Sequence, residues 1–145
     1  MDLTDWKESG NYFDYDGLPV FYHLTERRDE VLLCLHGFPA SSFDYHKIWD
    51  DLAKEFAVLS FDLIGYGFSA KPVNFDYTTF DQVDALLALL ENLQIKRVHL
   101  LAHDYGNTIT QELLARDEEK RLNFSIVSVC MLHKRITLSS LAETR

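Results

Sequence analysis

Apolar residues along this chain recur in two rhythms, and the change from one to the other predicts its architecture. Near the start, Tyr12-Phe13-Asp14-Tyr15 and Pro19-Val20-Phe21-Tyr22-His23 flank Asp16-Gly17. An Asp-Gly pair between aromatic and β-branched runs favours a tight turn, so these stretches predict an antiparallel β-hairpin. From Val31 onward, short continuous apolar runs alternate with helically spaced ones. Val31-Leu32-Leu33-Cys34-Leu35, Ala57-Val58-Leu59-Ser60-Phe61 and Val98-His99-Leu100-Leu101-Ala102 read as buried strands, the first covered on both faces as parallel strands are, and Phe124 to Leu132 reads as a fourth strand. Between the first two, Phe43 to Phe56 carries Ile48, Leu52 and Phe56 at helical spacing. Thr79 with Gln82 makes a capping box ahead of an apolar face of Val83, Leu86, Leu87, Leu90 and Leu93. Asn107 to Arg116 turns Ile109, Leu113 and Leu114 inward. Strands alternating with helices in this way imply right-handed βαβ crossovers, hence an α/β fold whose sheet is mostly parallel beyond the hairpin.

Composition narrows the possibilities without naming a chemistry. A chain of 145 residues, 47% hydrophobic and 26% charged, is long enough to bury a core as one domain. Its 14 basic and 23 acidic side chains give a net charge of −9, and the basic ones are scattered apart from Lys120-Arg121 and Lys134-Arg135. With no cationic stripe to follow a phosphate backbone, nucleic acid is not an expected partner. No apolar run approaches the roughly 18 residues of a membrane span, and Met1 to Glu8 lacks the basic and apolar regions of a signal peptide. Membrane association is therefore not expected from the chain itself, and the expected compartment is the cytoplasm. Cys34 and Cys130 both lie in apolar strand-like runs and read as buried free thiols in a reducing compartment. The histidines show no ligand spacing with cysteines or carboxylates, so no metal is expected.

In an open α/β sheet the chemistry collects beyond the carboxyl ends of the strands. Three such ends carry unusual residues: His36-Gly37-Phe38-Pro39, Asp62 to Gly67, and His103-Asp104-Tyr105-Gly106-Asn107. In the last, Ala102 stands two residues before Asp104 and Gly106 two after it, between a strand and a helix. That is the layout of a nucleophile elbow with aspartate in the serine position; small flanking residues are needed because backbones approach closely around so sharp a bend. A carboxylate lifted above the sheet at a helix N-terminus is favoured in its ionised form. It can attack a saturated carbon, giving an alkyl-enzyme ester that water activated by a histidine would then hydrolyse. The Tyr105 N–H and the Phe38 N–H are candidates to hold the oxyanion of that second step. The plain alternative is that Asp104 only caps its helix. His36 and His103 adjoin key motif residues and are expected to orient backbone rather than to transfer protons.

Gly65, Gly67 and Ala70 match the relaxed G-x-G-x-x-A form of dinucleotide-binding loops. Lys71-Pro72 follows at once, where the phosphate-binding helix would have to run. No cofactor is expected, and the glycines are read as shaping a loop near the mouth of the site.

Together, His36-Gly37-Phe38-Pro39, Asp62-x-x-Gly65-x-Gly67-x-Ser69 and His103-Asp104-Tyr105-Gly106 resemble the epoxide hydrolase and haloalkane dehalogenase branch of the α/β-hydrolases. The resemblance implies Asp104 as nucleophile, Phe38 and Tyr105 as oxyanion-hole amides, and His36, Gly37, Pro39, Asp62, His103 and Gly106 around the substrate pocket. It implies a small apolar substrate and leaves the endoplasmic reticulum as the alternative compartment. Dehalogenases of this branch typically follow the nucleophile with a halide-binding Trp and carry a halide-binding Asn where Phe38 stands; Tyr105 and Phe38 therefore favour epoxide-hydrolase-like chemistry. The fold's triad continues with an acid and a histidine on later strand ends. Here only His133 follows Asp104, directly after a strand, and residues 133–145 do not resemble the family. The expectation is thus the N-terminal half of an α/β-hydrolase domain over 1–132 with a divergent tail, truncated and impaired or inactive in turnover. The competing reading is a non-catalytic interaction module or a fragment, with self-association through an uncovered edge at Phe124–Leu132.

Overall fold

The computed structural model of the chain describes residues 1–132. Six strands form one sheet: β1 (Asn11–Tyr15), β2 (Leu18–Leu24), β3 (Glu30–Leu35), β4 (Val58–Phe61), β5 (Arg97–His103) and β6 (Ser125–Leu132). Their spatial order is β1-β2-β4-β3-β5-β6. β1 and β2 make the expected hairpin, and β2 meets β4 antiparallel. The β4–β3, β3–β5 and β5–β6 pairs are all parallel. The hairpin turns on Asp16 and Gly17, both at positive φ (48° and 83°), the conformation an Asp-Gly pair adopts at least cost.

Alternation along β3 sends side chains into two cores. Val31, Leu33 and Leu35 pack with Leu86, Leu89 and Leu90 of α3 (Thr79–Asn92) and with Ile109 and Leu113 of α4 (Tyr105–Glu118). Leu32 and Cys34 face the other way, toward Tyr45, Trp49 of α2 (Trp49–Glu55) and Trp6 of α1 (Leu3–Ser9). A strand covered on both sides in this way explains why its sequence is apolar without a gap. Among the described residues, no helix is long and apolar enough to cross a membrane.

Several local expectations need correction. α1 was not foreseen: Asp2 and Asp5 cap it reciprocally, and it docks through Trp6, whose indole N–H donates to Ser42 Oγ at 3.1 Å. The single helix expected over 43–56 is a 3₁₀ turn at Ser42–Tyr45 followed by α2. Its buried anchors are Tyr45 and Trp49, while Ile48 and Phe56 are exposed, because the larger rings take the inward positions. The capping box of α3 is Thr78 with Asp81, one residue earlier than expected. Gln82 is instead buried, with Oε1 accepting from Ile64 N–H at 2.9 Å and Nε2 donating to Ile64 C=O at 2.8 Å. Cys34 is buried as expected, but Cys130 is exposed. Among the described residues β6 pairs with β5 alone, and Val127, Val129 and Leu132 stand exposed with Cys130. His133 and the tail over 133–145 lie outside the described residues.

Candidate active site

β5 ends at His103 and α4 begins at Tyr105, so the chain turns from strand to helix on Asp104 alone. That residue sits at φ 52° and ψ −122°, a combination that residues with a Cβ rarely adopt and that costs on the order of 1–3 kcal/mol. The surroundings hold it there. A Cβ placed on Gly106 would lie 2.3 Å from the Leu35 carbonyl oxygen, so the first turn of α4 rests directly on the end of β3. A Cβ on Gly37 would lie 2.5 Å from Asp104 Cβ and 2.9 Å from Oδ1. The two glycines leave room for one carboxylate between two backbones.

Both backbone donors point at the same oxygen. Phe38 N–H and Tyr105 N–H each donate to Asp104 Oδ1 at 2.7 Å, while Oδ2 makes no hydrogen bond among the described residues. The bond from Phe38, and then that from Tyr105, holds the Asp104 carboxyl below its ordinary value of 3.8, since a carboxylate accepting amide hydrogens is favoured over the neutral acid. Asp104 is exposed and opens onto a solvent-facing cleft of about 620 Å³ lined by Phe38, Tyr66, Tyr77, Asp104, Tyr105 and Thr108.

The other residues anticipated around the site stand behind this wall rather than in it. His36 is buried; its Nε2 accepts from Leu63 N–H at 3.0 Å and its Nδ1 faces Gly37 C=O at 2.9 Å. An imidazole that accepts on one nitrogen and faces a carbonyl with the other is neutral with its proton on Nδ1, and burial lowers its pKa in the same direction. Asp62 is also buried, Oδ1 accepting from Ser42 N–H and Oδ2 from Phe68 N–H, both at 2.7 Å. It ties the loop after β3 to the loop after β4. His103 Nε2 lies 3.2 Å from Asp44 Oδ2, with its ring edge-on to Tyr45 at 5.8 Å. The Tyr45 hydroxyl donates to the Leu35 and Leu101 carbonyls, bridging the ends of β3 and β5. Pro39 is exposed and follows a cis Phe38–Pro39 peptide bond. Among the described residues no histidine lines the cleft.

Tyr66, Tyr77 and Thr108 were not singled out from the sequence. Tyr66 lies between Gly65 and Gly67, both at positive φ, inside the loop already read as shaping the mouth. Thr108 is one helical turn beyond Asp104, and that spacing was its only signal. The loop does not continue into a helix after Ala70; the next helix is α3, starting at Thr79.

A family model described as alpha/beta hydrolase fold matches residues 30–140. The mesoderm-specific transcript homolog protein of Bos taurus is 43% identical over 136 residues, covering 89% of this chain and 41% of that protein. A haloalkane dehalogenase of Mesorhizobium japonicum is 38% identical over 97 residues, covering 67% of this chain and 31% of that one. Among solved structures, a loop variant of a haloalkane dehalogenase from Bradyrhizobium elkanii superimposes with a TM-score of 0.74 at 34% identity, covering 85% of this chain and 39% of the other. The chain spans less than half the length of each of these three relatives.

Proposed function

We propose, given that the chain belongs to the alpha/beta hydrolase fold family, that Asp104 is the nucleophile of an epoxide-hydrolase-type reaction on a small apolar substrate. The observation that carries this reading is the unequal treatment of the two carboxylate oxygens. Oδ1 is held by two amides while Oδ2 is free among the described residues. Oδ2 attacks the epoxide carbon, the C–O bond of the ring breaks, and Oδ1 becomes the carbonyl oxygen of the ester. When water later adds to that carbonyl, the negative charge develops on Oδ1, where Phe38 and Tyr105 already donate. Preorganised donors of this kind contribute about 2.7–4 kcal/mol each to such a step.

The second step needs a base for the water. His36 has both ring nitrogens engaged and His103 faces Asp44, so neither serves. Among the described residues no histidine base faces the cleft, and the chain is expected to be alkylated and to release product slowly or not at all. Incubation with styrene oxide followed by intact-mass and peptide mapping tests this. A single adduct on Asp104, absent in Asp104→Asn, is expected; unmodified Asp104 after prolonged exposure refutes the nucleophile role, and rapid multiple turnover refutes the lack of a base.

Dehalogenation is the second reading, favoured by the two relatives named haloalkane dehalogenase. Against it, the positions that the resemblance assigns to halide donors hold Phe38, whose ring donates nothing, and Tyr105, whose hydroxyl lies 3.2 Å from Thr79 Oγ1. Halide release from 1-chlorohexane with no adduct from styrene oxide would favour it.

A further inference from the structure

Three strands bring a serine, a histidine, a glutamate and an arginine onto one face of the sheet, away from the cleft. In register, Glu30 of β3 stands opposite Arg97 of β5. His99 lies two residues further along β5, on the same face, and stands opposite Ser128 of β6. His99 Nδ1 lies 2.8 Å from Ser128 Oγ, and His99 Nε2 lies 3.0 Å from Glu30 Oε1. Arg97 Nε–H donates to Glu30 Oε2. The carboxylate decides where the protons are. His99, and then Arg97, hold Glu30 below its ordinary value, so near neutral pH it is ionised and can only accept. In the neutral ring Nε2 therefore carries the hydrogen, which leaves the Nδ1 lone pair facing the Ser128 hydroxyl. The base is held and the serine is open. The His99 side chain is only 19% exposed and packs against the Phe56 ring at 5.5 Å, whereas Ser128 is exposed. His23 shows the contrast. Its Nε2 lies 2.9 Å from Ser9 Oγ, but that hydroxyl donates to Asp5 C=O at 2.6 Å, and His23 Nδ1 has no partner among the described residues.

We propose that Ser128, His99 and Glu30 form a further reactive centre, in which Ser128 takes the acyl group of a small carboxylic ester and passes it to water. A nucleophile in hydrogen-bond reach of a base, itself oriented by a third group, is the arrangement that activates a hydroxyl, whatever strand carries it. Ser128 Oγ adds to the ester carbonyl as its proton passes to His99 Nδ1. The bond from the acyl carbon to the leaving alcohol then breaks, and that alcohol takes the proton from Nδ1. Water, giving its own proton to the same Nδ1, adds to the acyl-serine; the carboxylic acid leaves and Ser128 recovers the proton. Glu30 is a positioning residue. It keeps the hydrogen on Nε2 and favours the imidazolium that forms in each half of the cycle. Four residues of β5, about 13 Å of strand, separate His99 from His103 at the elbow, so the centre works independently of Asp104.

The test uses two probes on the full chain, at a temperature where circular dichroism shows every variant folded. Diisopropyl fluorophosphate traps an activated serine: Ser128 Oγ displaces fluoride, and the phosphoserine ester is mapped by peptide mass spectrometry. A single adduct on Ser128 is expected, absent in Ser128→Ala, which loses only an exposed side chain. His99→Gln is expected to slow labelling about 100-fold, the lower end of general-base contributions. Glu30→Gln keeps the size of the side chain without its charge. It is expected to lower the limiting labelling rate about 100-fold while the half-saturating concentration changes less than about 2-fold, the signature of an interaction made only in the transition state. p-Nitrophenyl acetate is expected to release more than one equivalent of p-nitrophenol per chain, and Ser128→Ala to abolish it. No adduct on Ser128, adducts spread evenly over the exposed serines, or labelling that His99→Gln leaves unchanged overturns the reactive serine and leaves the four side chains as a cross-strand polar ladder. Release that stops at one equivalent overturns the return of the acyl group to water.

Discussion

Gly106→Ala sets two effects of opposite sign against each other. Gly106 lies in the first turn of α4 without a positive φ, so alanine suits its backbone, and helix propensity alone predicts a gain of about 1 kcal/mol. The new Cβ, however, would meet Leu35 oxygen at 2.3 Å, Leu35 carbon at 2.8 Å and His36 oxygen at 3.0 Å, where ordinary contact begins at 3.4 Å. The worst contact is short by 1.1 Å. All three atoms are backbone, and β3 is hydrogen-bonded to β4 on one side and β5 on the other, so the strand cannot yield and the helix start must retreat. Overpacking against an unyielding neighbour costs about 3 kcal/mol, leaving a net loss of about 2 kcal/mol. For a domain of this size that lowers the melting temperature by roughly 8 °C. The retreat also carries the Tyr105 amide away from Asp104 Oδ1, and a misplacement of about 1 Å is worth about 100-fold in rate. Thermal unfolding followed by circular dichroism, with Asp104 alkylation rates on the same sample, measures both. A variant that melts higher than wild type and alkylates at the wild-type rate would show that helix propensity wins and that the close approach is not what requires glycine.

Asp104→Gly and Asp104→Ala both abolish alkylation, but the glycine variant is expected to be more stable by about 1 kcal/mol, because only it relieves the strained dihedrals; equal melting temperatures would mean the turn carries no strain. Asp62→Ala strips two inward-facing amides, of Ser42 and Phe68, of their acceptor and is expected to cost about 4 kcal/mol, checked by urea unfolding. His23 and His36 are both lowered from the ordinary imidazole value of 6.5, chiefly by burial. The folded state keeps them neutral while the unfolded chain binds protons near pH 6.5, so stability is full above that pH and falls as the pH drops below it. A melting temperature that rose between pH 7 and pH 5.5 would contradict this.

The elbow was legible in the sequence because its cause is local and steric. Gly106 lacks a side chain because it rests on Leu35 oxygen, and no other residue type would permit the approach. The sheet was legible because β3 and β4 are buried on both faces and β5 alternates buried with half-buried positions, so all three carry largely apolar runs. What escaped depended on long-range partners. Nothing near Trp6 announces that Ser42 and His23 will enclose it. The exposure of Cys130 cannot be read from its neighbours, since an apolar strand sequence is the same whether or not its outer side is paired. Tyr66 acquires meaning only when the turn after β4 is folded across the end of β5, a distance in the chain that periodicity does not register.

The buried groups behind the cleft explain how an exposed carboxylate can be held so firmly. Gly37 C=O and Phe38 N–H belong to one peptide unit, and in a trans peptide they point in opposite directions. The His36 Nδ1–H holds the carbonyl end at 2.9 Å, which aims the amide end at Asp104 Oδ1 and strengthens it as a donor. His36 can hold that carbonyl only while its other nitrogen accepts from Leu63, the residue next to Asp62. Asp62 in turn accepts from the amides of Ser42 and Phe68. Loops after β3 and β4 are thereby fastened to each other independently of the nucleophile, and their combined rigidity balances the unfavourable dihedrals of Asp104. On the proposed mechanism the two amides would keep their acceptor in place as it passed from carboxylate to ester to oxyanion, because the groups that orient them lie outside the cleft.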